Sequence, residues 1–166
     1  MASTFTFTAL VASALCFFSL LSNALAASGL NVEGKVYCDT CRVEFETKIS
    51  EMISGATVKL ECKNRENNTL TYAVEGVTDN KGIYRLPVEG DHEEDICEVR
   101  LIKSGRADCS EQFKIVDRAR ILLTKNVGMV QTTRYANPLG FMKKKASPQC
   151  AQVLKDMGFV PIDVEV

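Results

Sequence analysis

The sequence predicts a mostly β fold: an antiparallel β-sandwich or small barrel of about seven strands, with one short C-terminal helix and three disulfides. Three observations carry that prediction. Period-two segments rich in Val, Ile, Leu and Tyr recur at intervals of about ten residues, with turn chemistry between them. Helix-capping signals stand out near the C-terminus alone. Six of the seven cysteines lie beyond the apolar N-terminal segment, an even number that reads as a disulfide framework in an oxidising compartment.

The N-terminal segment sets that compartment. "MASTFTFTALVASALCFFSLLSNALAAS" has an apolar core from Ala9 to Leu21, within the roughly 7–15 residues of a signal-peptide h-region. Ala24-Leu25-Ala26 offers the small-x-small pattern of a cleavage site, although no Lys or Arg precedes Lys35. Residues 1–26 are therefore expected to be a cleaved signal peptide and residues 27–166 a single domain. A spanning helix needs about 20 apolar residues. Ser19, Ser22 and Asn23 interrupt this stretch, and no later one is long and apolar enough. The expectation is a secreted, extracellular protein with no membrane span once mature; Cys16 leaves with the signal. The net charge of −1 lacks the strongly basic character of a general nucleic-acid binder.

Along the mature chain, Asn31 to Tyr37 alternates as a strand. "RVEFETKISEMIS", residues 42–54, is ambiguous between a short helix and an irregular strand. "GATVKLECK" places Ala56, Val58, Leu60 and Cys62 on one face, as in a half-buried strand. "RENNT" is a polar turn, and "LTYAVEGVT" is the next strand, with a bulge expected at Gly76. Thr78 to Gly82 is turn chemistry, and Ile83 to Val88 returns as a strand. The "G-A-x-V-x-L" and "T-D-x-x-G-x-Y" pair is similar to a hairpin of prealbumin-like sandwiches, a likeness of fold alone. "EGDHEED" is an acidic loop; "ICEVRLIKS" aligns Cys97, Val99 and Leu101 on one face. A loop bearing Cys109 follows, then "RARILLT" as a strand. "NPLGFMKKK" reads as a loop, with Pro138 and Gly140 as breakers. Ser147 is placed to N-cap a short helix, with Pro148 at its first position and Gly158 as its stop.

Cys38 and Cys41 form a Cys-x-x-Cys pair. A redox centre would set the first cysteine on an exposed helix N-terminus after a strand, but no βαβ pattern follows. A zinc site would need two more ligands, and the chain has no second such pair and a single histidine, His92. The remaining reading is two separate bridges anchored side by side.

With strands and cysteines placed, the chain resembles the Ole e I family, secreted plant proteins named for the major allergen of olive pollen. The resemblance rests on "VEGKVYCDTCRVEFET", "GATVKLEC", "VTDNKGIYRLPVEGDHEEDICEV" and "NPLGFM". The motif Tyr37-Cys38-Asp39-Thr40-Cys41-Arg42 is its most specific part. The resemblance implies the pairing Cys38–Cys109, Cys41–Cys150 and Cys62–Cys97. It also implies a non-enzymatic, allergen-like glycoprotein of pollen that acts in hydration, germination or tube growth. Its expected partner is a cell-surface receptor kinase or a cell-wall component.

Other features are weaker. Asn67-Asn68-Thr69 is an N-glycosylation acceptor on a polar turn. The run Glu89, Asp91, Glu93, Glu94, Asp95 and Glu98 lacks EF-hand spacing and reads as a solvated loop, with His92 as a surface residue within it. Lys143-Lys144-Lys145 reads as a solvated run that could touch acidic polysaccharide. One histidine in an acidic loop makes a Ser-His or Cys-His pair hard to assemble. No catalytic residue, metal ligand or cofactor is expected. A protease inhibitor is an alternative without an evident reactive loop. An extracellular carbohydrate binder is another, although tryptophan platforms are absent.

Overall fold

The computed structural model describes residues 29–159; the expected signal peptide, residues 1–26, lies outside them. The elements run β1 (Leu30–Asp39), β2 (Glu51–Met52), β3 (Thr57–Asn64), β4 (Leu70–Val77), β5 (Ile83–Val88), β6 (Asp95–Lys103), β7 (Cys109–Gln112), β8 (Arg118–Ile121), β9 (Thr133–Tyr135), β10 (Leu139–Lys143) and α1 (Cys150–Asp156). They build two sheets face to face, a sandwich and not a closed barrel.

The first sheet is organised by β1. Its first half pairs antiparallel with β5, from Leu30↔Val88 to Lys35↔Ile83, and parallel with β9. Its second half pairs parallel with β10, from Val36↔Leu139 to Asp39↔Met142, and antiparallel with β2. The strand thus changes neighbours midway. Beside Gly34 lies the Tyr84 ring, in the space a Cβ there would need. The two parallel pairings go beyond the expected antiparallel pattern. The second sheet, ordered β4-β3-β6-β8, is antiparallel throughout. Ala56, Val58, Leu60 and Cys62 point inward as alternation requires, and Val99 and Leu101 of β6 join them. They meet Val32, Val36, Leu86, Leu139 and Phe141 from the first sheet in one core.

Several local expectations are corrected. "NPLGFMKKK" is not a loop: β10 runs through it between β1 and β7, with Leu139 to Met142 all buried. Pro138 stands just outside the strand, and Gly140 gives room to the rings of Phe113 and Tyr37. The loop expected around Cys109 contains β7. Residues 42–54 form neither helix nor long strand; only Glu51–Met52 pairs. Gly76 stays in register opposite Val58, and the irregularity falls between Cys62 and Lys63 instead. The helix is capped by Gln149, not Ser147, with no side-chain cap bond. The Ser147 carbonyl accepts from the Cys150 amide, so Ser147-Pro148 forms the turn before the helix. Gly158 has φ +86° and follows the helix as its stop. Among the described residues no helix is long and apolar enough to cross a membrane.

Candidate functional site

Asp39 ends β1 fully buried, and its carboxylate organises the cysteine motif. Oδ1 accepts from the amides of Cys41 and Arg42, each at 2.8 Å. Oδ2 accepts from Val43 and Glu44, at 2.7 and 2.8 Å. Four consecutive amides converge on one side chain, which bends the chain into a knot instead of a helix. Arg42 and Glu44 take φ +60° within it. Thr40 donates to the Ile49 carbonyl. The Arg42 guanidinium grips Glu111 of β7 through two nitrogens, at 2.7 and 2.9 Å, and also reaches the Lys143 carbonyl. The Glu44 carboxylate accepts from the amides of Lys114 and Ile115. Tyr37 packs edge-on against Phe113, with centroids 6.0 Å apart. The motif is an architectural joint, tying the end of β1 to β7 and β10.

Two bridges leave this joint. Cys38–Cys109 links β1 to β7, and Cys41–Cys150 links the knot to α1. The third, Cys62–Cys97, joins directly paired residues of β3 and β6. The six cysteines among the described residues are all paired, so the Cys-x-x-Cys carries no thiol.

His92 is buried, not on the surface. Its Nδ1 lies 2.9 Å from Asp95 Oδ2 and its Nε2 2.9 Å from the Glu89 carbonyl, while the ring packs on Tyr72. It clips the acidic loop shut. Three of the loop's carboxylates have internal partners: Asp91 accepts from Thr124 and Lys125, Glu93 from Asn126, and Asp95 from Thr71. His92 also lies close to Cys62 and Cys97, but a disulfide offers no thiolate to a metal. Of the lysine run, Lys143 extends toward Glu51 and Asp108.

Asn67 is exposed on the β3–β4 turn. Its Oδ1 accepts from the Thr69 amide at 3.0 Å and the Thr69 hydroxyl at 2.7 Å.

Beside that turn, the outer face of the second sheet forms a groove of about 330 Å³. Register assembles it. Lys59 of β3 stands opposite Arg100 of β6, which stands opposite Arg118 of β8. One step along, Glu61 faces Glu98, which faces Arg120. Glu98 receives Arg100, Arg118 and Arg120 at 3.2 to 3.3 Å. Burial pushes its carboxyl up, but hydrogen bonds from the three arginines outweigh that and hold it below the ordinary range. Its side chain is 14% exposed against 70% for Arg120. The carboxylate therefore lies underneath and the guanidinium on top.

A family model described as "Pollen protein Ole e 1 like" matches residues 28–158. The chain belongs to the Ole e 1-like pollen protein family. An Olee1-like protein of Betula pendula is 55% identical, over 92% of this chain and 94% of that protein. The anther-specific protein LAT52 of Solanum lycopersicum is 50% identical, over 91% and 94%. The crystal structure of the major plantain pollen allergen Pla l 1 superposes with a TM-score of 0.69 at 39% identity, covering 74% of this chain and all of that one. Set beside these Ole e 1-like relatives, the tyrosine-cysteine motif is the joint just described. The arginine-rich face is the feature of this chain that sequence reading missed. "ICEVRLIKS" and "RARILLT" signal the outward charges of β6 and β8, but only the β6–β8 register brings them together.

Proposed function

We propose that this Ole e 1-like protein is a secreted, non-enzymatic module. It acts in pollen hydration, germination or tube growth by binding an extracellular or cell-surface partner, with a receptor kinase and a cell-wall component as the two expected classes. The leader at residues 1–26 directs its export, and Asn67 is its glycan acceptor.

The observation that carries this reading is where the reactive groups lie. The six mature cysteines are joined in bridges, Asp39 holds four amides, and both ring nitrogens of His92 face acceptors. The groups best suited to catalysis hold the scaffold, while the charged outer face of the β4-β3-β6-β8 sheet is open to a partner. The anther-specific name of the tomato relative and the pollen names of others support the tissue.

The test is affinity capture with the native, disulfide-bonded protein from germinating pollen. An identified wall or receptor component should be retained, and competed off by free protein. Repeated failure to retain either would sink the proposal.

A further inference from the structure

We infer that the outer face of β3, β6 and β8 is a binding groove for a linear acidic polysaccharide carrying about one carboxylate per sugar. The inference rests on the partner-binding reading above and names the partner's chemistry and its site.

The face concentrates positive charge. The groove is lined by Lys63, Arg65, Arg100, Arg118 and Arg120 against the carboxylates of Glu61 and Glu98. The whole chain carries −1, so this face is a local concentration of cations on a nearly neutral molecule. Its rim is not purely basic. Asp117 holds Arg118 through two bonds, Glu94 approaches Arg65 at 3.8 Å, and Lys59 bonds Glu61 at 2.9 Å. Among the described residues, Lys63 has no ion-pair partner. The arginines are already oriented, by Glu98 beneath and Asp117 beside them, so a ligand finds their forks in place.

Strand spacing suits an extended chain. Arg100 and Arg118, both lining the groove, occupy directly paired positions on neighbouring strands, so their attachment points are set at the inter-strand distance of about 4.8 Å. That interval is comparable to the length of one sugar ring. A chain lying across the strands can set successive carboxylates against Arg100 and Arg118, through the N–H groups that Glu98 and Asp117 leave free. No aromatic residue lines the groove, so neutral sugars lack a stacking platform and the carboxylates must supply the recognition.

The rim of the groove favours a slender ligand. Asn68 lines the groove, which puts Asn67 at its rim. A glycan on Asn67 would crowd a folded protein partner there, yet leave room for a single extended chain. This favours a polysaccharide over the acidic surface of a protein. The Lys143 run is a poorer candidate, because Lys143 is engaged with Glu51 and Asp108.

The experiment uses the native secreted protein in affinity electrophoresis and calorimetry. The probes are polygalacturonate, its fully methyl-esterified form, and polyglutamate. Polygalacturonate should bind, weakening about tenfold as salt rises from roughly 20 to 200 mM; the esterified chain should not bind. The double variant Lys63→Gln/Arg120→Gln, at one half-buried and one exposed position, should lose about tenfold in affinity with its melting temperature nearly unchanged, and Lys144→Gln/Lys145→Gln should behave as wild type. Silence toward polygalacturonate, equal binding of the esterified chain, or an unaffected double variant would overturn the assignment. So would binding of polyglutamate alone, which would point to an acidic protein. If wild type still captures a partner from pollen while polygalacturonate is ignored, this inference fails and the partner-binding reading stands.

Discussion

Replacing Asp39 tests the central structural argument. The carboxylate is fully buried and accepts four backbone amides, two on each oxygen. Asp39→Asn keeps the shape and one oxygen, but turns an amide NH2 toward two N–H donors. Each buried donor left without an acceptor costs about 1–3 kcal/mol. Water recovers part of this, because Arg42, Val43 and Glu44 are only half-buried. The expected loss is about 3 kcal/mol, and for a domain of this size that is a drop of about 6–12 °C in melting temperature. Asp39→Ala should lose at least as much. The assay is thermal unfolding followed by circular dichroism on oxidised protein, with the three bridges verified by non-reducing peptide mapping. If Asp39→Asn melts within about 2 °C of wild type, the four-amide account is wrong and the motif is held by its disulfides alone.

The remaining predictions address other parts of the fold. Gly34→Ala should cost about 1–3 kcal/mol by driving a Cβ into Tyr84, and Gly34→Ala/Tyr84→Leu should be less damaging than the two single changes added together; strict additivity in denaturant melts would refute the contact. The buried Tyr84 hydroxyl has no hydrogen-bond partner, so Tyr84→Phe should be neutral or raise stability by up to about 1 kcal/mol; a clear loss in the same melts would contradict this. Burial pushes the Asp95 carboxyl up, but hydrogen bonds from Thr71 and His92 outweigh it and leave it below its ordinary value. Its stabilisation is therefore present above the unfolded pKa of about 3.9 and lost as pH falls through the lower folded value. Asp95→Asn should melt lower than wild type at pH 7, with the gap closing below about pH 4; a gap constant down to pH 3 would refute the assignment. Removing the Cys41–Cys150 bridge with two serines should cost about 2–5 kcal/mol; hydrogen exchange should quicken first around residues 147–158, and uniform quickening would show that the bridge supports the whole sandwich.

What could be read from the sequence followed from how each strand is covered. β3, β5 and β6 bury one face, so their alternation shows in Val58, Leu60, Leu86 and Val99. β10 is a parallel neighbour of β1 with both faces covered, which erases alternation and leaves only Pro138 and Gly140 to mislead. β7 and β9 are too short to show a period. His92 looked solvated because its sequence neighbours are acidic, yet one of them, Asp95, is what draws it inward. The role of Asp39 had one visible signal, an aspartate at a strand end before an irregular stretch. Nothing in the sequence said that four amides would turn toward it. The charged outer positions of β6 were legible; their alignment with β8 was not, since the connection between these strands hides their register.

The central place of β1 governs how the molecule can be made. This strand leaves the ribosome early, but β9 and β10 lie about a hundred residues downstream, and Cys41 must wait 109 positions for Cys150. Until then β1 lacks two of its strand neighbours and the sulfur of Cys41 lacks its partner. Closure of the first sheet is therefore a late event, whereas the second sheet and its Cys62–Cys97 bridge need nothing beyond residue 121.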